Sequence, residues 1–85
     1  MGNICVIGLG YVGLPLVINA SIKGIYLNGY DVDSSKISSL NSGICYIKDY
    51  VNSFQRLKRE KHTFSDKPTF LKECGTIIIC VPTPV

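Results

Sequence analysis

The fold is decided near the start of the chain, where Asn3-Ile4-Cys5-Val6-Ile7-Gly8 runs into Leu9-Gly10-Tyr11-Val12-Gly13. The first six residues form a short, nearly continuous apolar run. Such a run suits a strand covered on both faces, not one with alternating exposure. Beyond the glycines, Val12, Leu16, Val17 and Ala20 recur at helical spacing. Pro15 falls near the first helical turn, where a missing N–H costs little, and Gly24 stands where the helix stops. A buried strand, a glycine turn and a helix in this order predict the opening of a βαβ unit.

The turn itself reads G-x-G-x-x-G, and each glycine has a separate task. Gly8 permits the tight exit from the strand, and Gly10 lets backbone approach a pyrophosphate that any Cβ would obstruct. Gly13 allows helix and strand to pack closely. The pyrophosphate would meet the free N–H groups and positive dipole end of the helix. Gly8, Gly10, Tyr11, Val12 and Gly13 are therefore the candidate cofactor contacts of this loop.

Working outward, Ile25–Asp31 predicts a second strand ending in an acid eighteen residues after Gly13. A carboxylate there can accept both hydroxyls of an adenosine ribose. Its charge would repel a 2′-phosphate, so NAD is expected over NADP. Asp33 competes for the role but better suits the cap of the next helix, which carries Ile37 and Leu40. Lys36 could reach the same ribose or the adenosine phosphate, and an exposed helix lysine is the alternative.

Further along, Val51, Phe54 and Leu57 favour a short helix within the ambiguous stretch 44–61, and Thr63–Ser65 predicts a brief strand. Pro68–Glu73 predicts a short helix capped by Ser65 or Asp66. Thr76–Val81 is the clearest strand, stopped by Pro82-Thr83-Pro84. The order of elements implies an α/β fold. It is a partial Rossmann-type, doubly wound parallel sheet of about four strands with helices on both faces. A complete doubly wound fold has six.

Charge and cysteine usage narrow the classes. A net charge of +3 is too small to indicate a nucleic-acid partner, and the basic run Arg56, Lys58, Arg59, Lys61 reads as a solvated helix face. No apolar run reaches the length of a membrane span. Cysteines 5, 45, 74 and 80 form no C-x-x-C pair, so no metal site is expected. No secretory leader is evident, so they read as reduced structural thiols of a cytoplasmic protein.

The run from Ile7 to Leu16 resembles the opening of the UDP-glucose/GDP-mannose dehydrogenase family, most of all the branch acting on UDP-N-acetylhexosamines. Tyr30-Asp31-Val32-Asp33, Lys36-Ile37, Leu40-Asn41-Ser42-Gly43 and Val81-Pro82-Thr83-Pro84 continue the likeness in the family's order. The resemblance implies that Asp31 and Lys36 hold the adenosine ribose and that Thr83 sits beside bound NAD. It also implies an oxidoreductase that takes the C6 alcohol of a nucleotide sugar to a carboxylate in two NAD-dependent steps. The nucleophile would be a cysteine beyond any of the four present. Two positions depart from the family pattern. Lys48-Asp49 replaces an acidic pair, and Gly75 stands where an Asp commonly precedes the last strand.

Residues 1–85 are therefore expected to form the first part of an NAD-binding domain. Catalytic and substrate-binding residues are absent, and an exposed sheet edge would favour self-association. The alternatives are a non-catalytic dinucleotide-binding module and the start of another NAD-dependent hydroxyacid or sugar-phosphate dehydrogenase.

Overall fold

The computed structural model describes residues 3–80. Strand β1 (Asn3–Ile7) leads through the glycine turn into α1 (Gly13–Ile22), and β2 (Asn28–Tyr30) leads into α2 (Ser34–Asn41). A 3₁₀ turn at Lys48–Tyr50 runs into α3 (Val51–Gln55), and another at Arg59–Lys61 precedes β3 (Phe64–Ser65). A further 3₁₀ segment, Pro68–Glu73, leads into β4 (Cys74–Ile79). The four strands are parallel, in the order β3-β2-β1-β4. That order makes an α/β sheet wound outward from β1 in both directions, as a doubly wound fold requires.

The strand expected over Ile25–Asp31 is shorter than its composition suggests. The amides of Lys23 and Ile25 both donate to Ala20, and that of Gly24 to Ser21. These bonds close the C-terminus of α1, with Gly24 at φ +83°. Ile25 has thereby spent its donor on the helix, and pairing with β1 begins only at Asn28. Asp31 consequently lies one residue beyond β2. The last strand is also displaced, beginning at Cys74 and ending at Ile79.

The helix expected at Pro68–Glu73 is 3₁₀ and has no side-chain cap. Ser65 Oγ instead accepts from the Lys67 amide, 3.0 Å away, inside the preceding turn. In α2 the cap falls on Asp33, which accepts from the amide and hydroxyl of Ser35 at 3.0 and 2.6 Å. The Ser35 hydroxyl holds the Asp33 carboxyl below its usual range. A lowered folded pKa means that this cap stabilises α2 above the ordinary aspartate range. The contribution is lost as pH falls through the folded value.

The core lies on the side of the sheet that carries Val6, and Leu9, Leu14, Val17, Ile18, Leu40 and Phe54 are its fully enclosed members. Burying each such side chain contributes about 1.5–3 kcal/mol. Of the three residues suggesting α3, Phe54 and Leu57 reach this core, whereas Val51 remains exposed. The run Arg56–Lys61 is not one solvated helix face as expected. It is broken between α3 and a 3₁₀ turn. Arg59 reaches back to the Asn41 carbonyl at the end of α2, and Lys61 lies over the Tyr26 ring. β4 pairs on one side with β1. Ile78 packs on the core, but Ile77 and Ile79, pointing the other way, are 43% and 67% exposed.

Gly13 is the tightest point of the packing. A Cβ there would lie 1.7 Å from the Gly8 carbonyl oxygen, whereas a Cβ on Gly10 would meet nothing within 4 Å. Gly13→Ala must push α1 off β1 and is expected to cost about 3 kcal/mol or more. Gly10→Ala should leave stability nearly unchanged. Urea unfolding of the two variants beside the parent chain checks this contrast, and equal stability of both would refute the packing role of Gly13.

Candidate functional site

Beyond the C-terminal ends of β1, β2 and β4 lies a cleft of about 520 Å³. Gly8, Gly10, Tyr11, Val12, Asp31 and Lys36 all line it, so the glycine loop and both downstream candidates meet at one place. Gly13 does not line the cleft. It is buried and permits the approach of α1 to β1. Thr83, and with it Val81-Pro82-Thr83-Pro84, lies outside the described residues.

α1 presents its start to this cleft. Val12 occupies the cap position, no side chain caps the helix, and no acid lies in its first turn. The helix therefore brings no negative group of its own to its positive end. The Leu14 amide donates to the Gly10 carbonyl at 3.2 Å and Pro15 has no N–H, so the amides of Val12 and Gly13 are those left for an incoming anion. The empty space above Gly10 is where a pyrophosphate must come close, and even a methyl group would occupy it. The loop fits a dinucleotide on both counts.

Asp31 closes the other side. Its Oδ2 accepts from the Leu9 amide at 2.8 Å and its Oδ1 from the Asp33 amide at 2.9 Å. The carboxylate is nearly buried, yet each oxygen retains a lone pair for a hydroxyl donor. Lys36 places its Nζ 4.0 Å from Oδ2. Asp33 also borders the cleft, but its side chain caps α2 by accepting from Ser35, which gives the two acids different tasks.

Several lining residues escaped the sequence reading. Val32 and Cys80 border the cleft, and their place just beyond β2 and β4 is the signal that could have found them. Tyr11, Val12 and Val32 are 84%, 68% and 82% exposed and give the rim an apolar character. Tyr46 is the larger omission. Its hydroxyl donates to the Leu9 carbonyl across 37 positions of sequence, and Lys36 Nζ lies 5.9 Å from its ring centroid. Nothing in the stretch 44–61 marked it.

Two of the groups that could do acid, base or nucleophilic work are spent elsewhere. His62 is buried, its Nδ1 donating to the Leu27 carbonyl at 2.5 Å and its Nε2 3.4 Å from the Ser21 hydroxyl. Burial, with Cys74 adjacent, pushes the Cys5 thiol up to about 12. Among the described residues no cluster of His, Cys, Asp or Glu could hold a metal, and no helix is long and apolar enough to cross a membrane.

A glycine turn, a helix start and an acid gathered at the ends of parallel strands define the first half of a dinucleotide-binding domain. Residues 2–85 match the UDP-glucose/GDP-mannose dehydrogenase family, NAD binding domain, and the chain belongs to that family. It is 38% identical over 87 residues to the UDP-N-acetyl-D-mannosamine dehydrogenase of Pyrococcus horikoshii, covering 98% of this chain and 21% of that protein. Against the UDP-N-acetyl-D-glucosamine 6-dehydrogenase of Salmonella typhi the identity is 35% over 84 residues, covering 98% and 19%. The solved structure of the Pyrococcus horikoshii UDP-D-ManNAc dehydrogenase superposes with a TM-score of 0.82 at 35% identity, covering 98% of this chain and 21% of that one. The likeness is thus to the UDP-N-acetylhexosamine branch, and the cofactor of the matched domain is NAD. The chain spans about a fifth of the length of these curated relatives.

The Asp31 geometry gives a test that needs no cofactor. An asparagine has one acceptor oxygen for two backbone donors, so Asp31→Asn must leave one amide facing its NH₂ group. Hydrogen bonds to a charged group are worth roughly 1.5–3 kcal/mol, and a loss in that range is expected in urea unfolding. Stability equal to the parent would show that these two bonds do not hold the loop.

Proposed function

We propose that this chain provides the NAD-binding start of a nucleotide-sugar 6-dehydrogenase, with the adenosine ribose on Asp31 and Lys36. The pyrophosphate lies over Gly10 at the start of α1, and Tyr11 and Val12 flank it. The observation that carries this reading is the convergence of loop, acid and lysine on one cleft. NAD supplies the hydride acceptor. A UDP-N-acetylhexosamine is the substrate class of the longer enzyme, a cytoplasmic contributor to polysaccharide synthesis. Residues 1–85 are the first part of its cofactor domain, and turnover needs a substrate pocket and a cysteine nucleophile that they do not supply.

Calorimetry of the purified 85-residue chain tests the proposal. NAD is expected to bind more tightly than NADP, because the Asp31 charge repels a 2′-phosphate. Gly10→Val should abolish binding while the fold is kept, since the branched side chain enters the space the pyrophosphate needs. Equal binding of NAD and NADP by the parent, or an undiminished affinity in Gly10→Val, would overturn the assignment. Absorbance at the NADH band should stay flat over a panel of UDP-sugars. Turnover that vanished with Asp31 would reveal a catalytic centre within the chain.

The isolated chain is also proposed to self-associate along β4, whose outer face shows Ile77 and Ile79 to water. Sedimentation should find dimers or larger species. Ile79→Lys should shift them toward monomer, and a parent that sediments as a monomer at all concentrations would refute this surface.

A further inference from the structure

We propose that Tyr46 is a positioning residue for the NAD cleft, its hydroxyl fixing the carbonyl of Leu9 in the glycine turn and its ring fixing Lys36 beside Asp31. The inference rests on the NAD reading above and goes beyond the fingerprint that reading uses.

Leu9 is the one residue of the turn that is tied at every point. Its side chain is fully buried, its amide donates to Asp31 at 2.8 Å, and its carbonyl accepts the Tyr46 hydroxyl at 2.5 Å. Gly8 and Gly10 on either side have no Cβ and wide conformational freedom, so without such ties the turn would sample many shapes. The amide tie comes from Asp31. The carbonyl tie comes from Tyr46 alone among the described residues.

Tyr46 is itself well seated. It packs on the core beside buried Ile47, and the Cys45 thiol donates to the Ile47 carbonyl at 3.5 Å. Burial, the Asp31 charge and, more weakly, Cys45 and Asp33 hold its hydroxyl above the ordinary tyrosine range, so it remains a donor at any working pH. The same ring lies 5.9 Å from Lys36 Nζ, within the reach of a cation–π contact. Lys36 is thereby held between the ring and the Asp31 carboxylate, 4.0 Å away. One side chain thus sets both the bend of the phosphate turn and the cation next to the ribose acid.

The two roles separate by substitution. Tyr46→Phe keeps the ring and loses the hydroxyl; Tyr46→Leu loses both. Calorimetry with NAD and with NADP, together with amide exchange followed by NMR, reads the consequences in the 85-residue chain. Tyr46→Phe is expected to raise the Kd for NAD about fivefold, the worth of one ordinary hydrogen bond, with an unchanged preference for NAD over NADP. Exchange should quicken at Leu9 and Gly10 and stay as in the parent along β1. Tyr46→Leu should weaken NAD further and narrow that preference, because Lys36 becomes free to meet a 2′-phosphate. If the parent binds NAD and both variants match it, Tyr46 has no positioning role. If exchange quickens evenly over the whole sheet, Tyr46 is a structural residue only, and the proposal is equally overturned. A parent that binds no NAD removes the cofactor reading, and this inference with it.

Discussion

The hydrogen bond from the Leu9 amide to Asp31 joins the two halves of the cleft. Leu9 belongs to the turn leaving β1, and Asp31 to the turn leaving β2. Neighbouring strands are held by their ladder, but the loops beyond them are not. This bond extends the register of β1 and β2 one step past the sheet, where a ligand can use it. The second carboxylate oxygen carries the order onward to Asp33, whose amide it accepts and whose own side chain starts α2. An acid at this place therefore builds the site before it binds anything. Its two oxygens together tie the turn beyond β1 to the start of α2.

The strand order explains why the site is here. In β3-β2-β1-β4 the chain winds from β1 toward β3 and then returns to the far side of β1. The connection leaving β1 runs to β2 and the one entering β4 comes from β3 to the opposite side of β1, and the cleft opens at the C-terminal ends of the strands. Cys80, just past β4, borders the same cleft as Gly8, just past β1, and its amide donates to the Ile7 carbonyl at 2.7 Å. Close packing keeps the crevice narrow on the helix side. Gly13 lets α1 start directly against the Gly8 carbonyl, and the Leu14 amide of its first turn donates back to the Gly10 carbonyl.

Much of this was legible because it is local. A buried strand, a turn needing glycine and a helix follow one another within a few residues, and each leaves its own pattern. Asp33 could be assigned to the cap over Asp31 because a cap must stand immediately before its helix. What stayed hidden depends on distant partners or on competition for a donor. Ile25 and Tyr26 carry strand-forming side chains, yet the end of α1 takes the Ile25 amide first. His62 stands in a basic run, and only the folded chain shows it stacked on Phe64 and set edge-on to Tyr26. Tyr46 is reached from an irregular segment with no period, so its bond to Leu9 had no trace in spacing.

Two zones of exposed apolar surface differ in their chemistry. Around the cleft, Tyr11, Val12 and Val32 stand among Asp31, Lys36 and the loop backbone. An occupant there must join a flat apolar part to hydroxyl and anionic parts, which is the make-up of an adenosine diphosphate. On β4, Ile77 and Ile79 stand in a segment, Gly75–Ile79, that contains no charged residue. That zone offers strand backbone and aliphatic groups only, so what covers it must bring a complementary strand or an apolar face. A parallel sheet needs both faces covered. The first zone sets polar groups among its apolar ones, as a mixed ligand requires, whereas the second is aliphatic throughout.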